Sequence, residues 1–149
     1  MRCLLLFLFL PLIAQAQDLT EDSVLDITLS WDQAPNGYVY SVEIFVPDDI
    51  PPEGGYPVCI ALHGNGGNGV QMLESMSNLL DCHIVVAPSG YENSWSICDE
   101  DSKGPDVQML EELIESLKVY DNVNSKRIRL VGSSNGSALV NNFYIQNDD

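Results

Sequence analysis

The residues whose reading decides the fold are "IRLVGSSNG", 128–136. The apolar run Ile128–Val131 leads without a break into Gly132-Ser133-Ser134-Asn135-Gly136, a G-x-S-x-G, and a helix is predicted from Asn135 to about Gln146. A strand that turns into a helix across this motif lifts the central hydroxyl above the sheet edge. The small flanking residues, Gly132 and Gly136, let strand and helix approach without a clash. Ser134 is therefore the candidate nucleophile. The backbone N–H of Asn135 is aimed where an oxyanion would form, and the polarity of the helix N-terminus adds to the same stabilisation.

An elbow of this kind calls for a second oxyanion donor, and "HGNGGNG", 63–69, offers one. The same heptad contains G-x-G-x-x-G at Gly64, Gly66 and Gly69, the pattern of a dinucleotide loop. That reading needs an acid about 20 residues on, at the end of the next strand, to hold ribose hydroxyls. Here the strand HIVVA ends in Pro88-Ser89-Gly90, and the nearest acid, Glu92, lies beyond a turn. The loop thus reads as an oxyanion loop, with the donor on Asn65 or its neighbour Gly66. His63 is expected to hold the loop's shape rather than to act as a base, and His83, at the start of a buried strand, is a weaker candidate base.

Working outward, VLDITLS (24–30) and YVYSVEIFV (38–46) alternate apolar and polar residues, and Asn36-Gly37 between them predicts an antiparallel pair. PVCIAL and HIVVAP are short continuous apolar runs of the kind buried in a parallel sheet. Val70, Leu73, Met76 and Leu80 mark one amphipathic helix; Val107, Leu110, Leu113 or Ile114, and Leu117 mark a second, opened by Asp106. The order predicts an α/β fold whose sheet begins antiparallel and becomes parallel, with flanking helices.

Residues 1–16, MRCLLLFLFLPLIAQA, have one cation, an apolar stretch and an A-x-A end, the layout of a cleavable secretory signal. The expected mature chain starts at Gln17, is secreted, and has no membrane attachment once the signal is cut. With 22 acidic residues against six basic ones, a formal charge of −16, the surface repels nucleic acid and anionic lipid. Cys59, Cys82 and Cys98 remain after the signal, an odd set with no zinc spacing and no pairing that the sequence fixes.

DEDSKG, 99–104, resembles the start of a calcium loop at Asp99, Asp101 and Gly104, but Lys103 takes a ligand position and Leu110 stands where the bidentate Glu belongs. It reads as a solvated acidic loop. Asn135-Gly136-Ser137 is formally a glycosylation sequon whose place in the elbow argues against modification. Glu111, Glu112 and Glu115 with Lys118 give helix-surface pairing.

Together "VCIALHGNGG", "VVAPSG", "NSWSI" and "DVQMLEELIESLKVYDNVNSKRIRLVGSSNG" resemble the α/β-hydrolase superfamily, and within it secreted esterases of the polyhydroxybutyrate depolymerase and feruloyl or acetyl xylan esterase type. The resemblance spans about residues 38–145. It implies ester hydrolysis through an acyl-enzyme, with Ser134 as nucleophile, donors at Asn65 and Asn135, and Trp95 near the site as a possible wall of the substrate cleft. No metal or organic cofactor is required. The implied substrates are polysaccharide-linked acyl or phenolic esters, or polyester. The family has its catalytic Asp and His downstream of the elbow, whereas 15 residues follow Ser134 here, so residues 17–149 are expected to be the N-terminal part of such a domain. Two other readings stay open: a peptidase on the same fold, and an inactive secreted binding module that retains the elbow.

Overall fold

The computed structural model describes residues 17–97 and 104–147. The expected signal, Cys98, and Asp99, Asp101 and Lys103 of the calcium-like loop lie outside these residues. Six strands and three α-helices follow in the order β1 (Ile27–Trp31), β2 (Ala34–Tyr40), β3 (Val42–Phe45), β4 (Tyr56–Leu62), α1 (Gly69–Ser77), β5 (Ile84–Pro88), α2 (Asp106–Leu117), β6 (Val123–Gly132) and α3 (Asn135–Gln146). A short 3-10 turn, Tyr91–Asn93, follows β5.

The main sheet has the order β3-β5-β4-β6. β3 is antiparallel to β5, while β4 is parallel to both β5 and β6. The mixed α/β sheet is the one the sequence predicts, and the physical reason is plain in β4: all seven of its residues are buried, since it has a strand on each side and packed layers on both faces. On one face Ile60, Leu62, Val86, Met109, Leu110, Leu113 and Leu139 form the larger core, covered by α2 and α3. On the other, Cys59, Ala61 and Val85 meet Met72, Leu73, Met76 and Leu80.

Three expectations need correction. The antiparallel pair turns at Asp32-Gln33, with Trp31 opposite Ala34, so Asn36-Gly37 lies inside β2 and not at the hairpin tip. The register shifts between Leu29 and Trp31, and Gly37, at φ +91, absorbs the extra residues as a bulge. Secondly, the expected strand 38–46 is two strands in two sheets. They part at Ser41, where Val42 N–H donates to the Asp26 carboxylate and the Ser41 carbonyl accepts from Ser89 N–H. Thirdly, Val70 is about half exposed, and α1 packs a partly buried Met72 against the core in its place.

The helix bounds otherwise follow local chemistry. Asn68 caps α1 by accepting Gln71 N–H at 3.0 Å, a cap of about 1 kcal/mol. Asp106 does open α2, but its buried carboxylate serves another segment by accepting Ser96 N–H. Lys118 pairs with Glu115 at the helix surface.

Candidate active site

Parallel strands end at one edge of a sheet, so the segments that follow β4, β5 and β6 meet there. The elbow follows β6. Ser134 is exposed, at φ 51 and ψ −113, a conformation that costs an L-residue about 1–3 kcal/mol and persists only where the surroundings enforce it. The enforcement is visible. Ser133 N–H donates to the Leu62 carbonyl at 3.0 Å, fixing the elbow to the end of β4. A Cβ on Gly132 would run into the Gly136 backbone, and one on Gly136 would lie 2.5 Å from the Leu62 carbonyl oxygen. Both elbow glycines are thus required by close backbone approach.

The glycine loop lies against the elbow: a Cβ built on Gly64 would be 3.4 Å from that of Ser134. The loop turns tightly, Gly67 N–H donating to the Gly64 carbonyl at 3.0 Å, with exposed Asn65 and Gly66 at its apex. Gly66 N–H is committed elsewhere, donating to the Asn93 carbonyl at 2.7 Å. That removes Gly66 from the two donors the sequence offered and leaves Asn65. At the elbow, Asn135 N–H is the first of α3, where no intrahelical carbonyl can accept it.

His63 is buried with both ring nitrogens engaged. Its Nε2 accepts from Gly90 N–H at 3.0 Å, so the proton is on Nδ1, which donates to the Gly64 carbonyl at 2.7 Å. Burial lowers its pKa below the ordinary 6.5, opposed by the Gly64 hydrogen bond. This neutral ring is a brace. His83 stands before β5, at the opposite end of the sheet. The register from Val58 to Ile84 and Ile128 places it about seven strand residues from Ser134, roughly 20 Å at ~3.3 Å per residue.

Trp95 is the site residue whose expected role changes. It is fully buried, 4.6 Å from the His63 ring between centroids, and its Nε1–H donates to the His63 carbonyl at 2.8 Å. With no accessible face it supports the loop and is not a cleft wall. The side chain of Asn135, which sequence reading left without a role, clamps the same segment. Its Oδ1 accepts Trp95 N–H at 2.8 Å, and its Nδ2 donates to the Trp95 carbonyl at 3.2 Å. The Asn93 carbonyl and Gly90 N–H were likewise missed, since backbone partners in a three-residue 3-10 turn leave no pattern in sequence.

Cys59 and Cys82 are unbridged, and burial pushes the Cys59 thiol up to about 11. Among the described residues no three His, Cys, Asp or Glu side chains converge as a metal site, and no helix is long and apolar enough to cross a membrane.

Neither a family model nor a curated protein matches the sequence. Solved structures do. A thermostable esterase superposes with a TM-score of 0.54 at 23% identity, over 79% of this chain and 36% of that one. A phospholipase/carboxylesterase from Dyadobacter fermentans superposes with a TM-score of 0.55 at 21% identity, over 74% of this chain and 56% of that one. The fold is the α/β-hydrolase fold. The chain spans well under two thirds of the length of either neighbour.

Proposed function

We propose that this chain carries the nucleophile and oxyanion donors of a serine carboxylic-ester hydrolase. The observation that carries the reading is Ser134, exposed on a strained elbow and packed against the glycine loop. In this reading Ser134 Oγ attacks the ester carbonyl carbon as a base takes its proton. Asn65 and Asn135 N–H groups hold the resulting oxyanion, each worth about 10²–10³ in rate. Collapse expels the alcohol, and water then releases the acid and restores the serine. The enzyme is secreted and of the polyhydroxybutyrate depolymerase or feruloyl esterase type, and it takes polysaccharide-linked or polymeric esters. Since His63 is a brace and His83 is remote, the base comes from outside the described residues.

The test is a fluorophosphonate probe, which labels only activated serines, applied to residues 17–149 and to any longer product of the same transcript. The expected result is labelling of the longer product that Ser134→Ala abolishes. Labelling that survives Ser134→Ala, or none in either chain, overturns the proposal. Labelling of the short chain at Ser134 would mean that a base lies within it.

A further inference from the structure

The bond from Ser133 N–H to the Leu62 carbonyl joins elbow and glycine loop directly, and by itself leaves a pivot between them. A second connection runs through residues 90–96, a strap between β5 and α2. Toward the glycine loop the strap is fastened by Gly90 N–H to His63 Nε2, by the Asn93 carbonyl to Gly66 N–H, and by Trp95 Nε1–H to the His63 carbonyl. Its far end is tied to α2, where Ser96 N–H donates to Asp106. Toward the elbow it is fastened by Asn135, whose amide takes the N–H and the carbonyl of Trp95 and whose Oδ1 also accepts from Ser94 Oγ at 3.4 Å.

The strap is strained as well as fastened. Glu92 and Asn93 are consecutive non-glycine residues at φ 51 and φ 57, a conformation that persists only where the surroundings enforce it. Asparagine suits the fastening, because its short side chain sets an acceptor beside a donor and so matches both backbone groups of one residue.

An oxyanion hole needs two N–H groups converging on one atom at about 2.7–3.1 Å, so their relative placement decides its strength. The Gly64 carbonyl is held by His63 Nδ1–H and Gly67 N–H, which turns the Asn65 N–H to the opposite side of that trans peptide. His63 is held in turn by Trp95, and Trp95 by Asn135.

We propose that the Asn135 side chain is a positioning residue. Its backbone N–H is one oxyanion donor, and its amide, acting through Trp95 and His63, sets the place of the other donor at Asn65. The inference rests on the reading of Ser134 as the nucleophile.

The rate of Ser134 labelling by a fluorophosphonate, followed over a range of probe concentrations in the longest product of the transcript, tests it. Asn135→Ala keeps the backbone N–H and removes the clamp. Its maximal labelling rate is expected to fall about 10–100-fold, while the half-saturating probe concentration stays within about twofold. Trp95→Phe, which loses the donor to the His63 carbonyl, is also expected to be slow, and the double variant no slower than Asn135→Ala, since both changes cut one path. Gly37→Ala, destabilised in the remote hairpin, is expected to label at the parent rate. Asn135→Ala at the parent rate, a change in half-saturation alone, losses that multiply in the double variant, or equal slowing of Gly37→Ala overturns the proposal. A parent that does not label removes the reading of Ser134 and this inference with it; a labelled parent with an unaffected Asn135→Ala removes this inference alone.

Discussion

Ser134 occupies backbone space in which a glycine would rest more easily. Ser134→Gly is therefore expected to be more stable than Ser134→Ala by about 1 kcal/mol, the relief of strain outweighing the extra freedom of the unfolded glycine chain. Urea denaturation of the pair measures the difference, and equal midpoints would show that the elbow is not strained. His63 makes a prediction in pH. Its folded pKa is lowered below 6.5, so between those two values the unfolded chain binds more protons than the folded one. The contribution of His63 to stability is complete above about 6.5 and falls as the solution is acidified through that window. His63→Gln is expected to lose stability at neutral pH and to show a shallower decline on acidification. An unchanged acid slope would place His63 in a more solvated setting than its two hydrogen bonds imply.

The best-read elements were those whose signals are local. The bounds of α3, Asn135–Gln146, follow from an elbow that can only be followed by a helix, and α2 follows from a stripe of apolar residues at helical spacing. The hairpin was misread because Asn-Gly is a strong turn signal whether the chain turns or bulges, and only pairing with Ile27–Trp31 decides which. This yields a discriminating experiment. Gly37→Ala places a Cβ at φ +91, 3.2 Å from the Thr28 methyl, and is expected to cost about 1–2 kcal/mol. Asn36→Ala is expected to cost less than about 0.5 kcal/mol, since Asn36 is an exposed strand residue. Comparable losses at both positions would restore the turn to Asn36-Gly37. The break at Ser41 was equally hidden, because alternation runs unbroken through a strand that changes sheets.

For the molecule as a whole, sequence motifs named the elbow and the glycine loop, while the supports that hold them were not legible. Ser134 and the glycine loop each announce themselves in a few adjacent residues. The braces, His63 to Gly90, Gly66 to Asn93 and Asn135 to Trp95, join segments 27 to 40 residues apart and exist only once β4, β5 and β6 are side by side. Net charge acts over the same dimensions. With −16 spread over 149 residues, mutual repulsion opposes compaction, and salt screens it over a Debye length of about 8 Å. The thermal midpoint is expected to rise from low to physiological ionic strength; a fall would mean that attractive pairs outweigh repulsion. The Asn135 clamp has a last consequence, for the chain as it is being made. A folded molecule offers no free amide at this sequon, because Trp95 holds both ends of it. A nascent chain crossing a glycosylating compartment does offer one, so the elbow is open to sugar transfer until α3 docks. Production in such a host becomes a race between folding and modification. Each molecule that loses it carries a glycan beside Ser134, and a host without that machinery yields a uniform product.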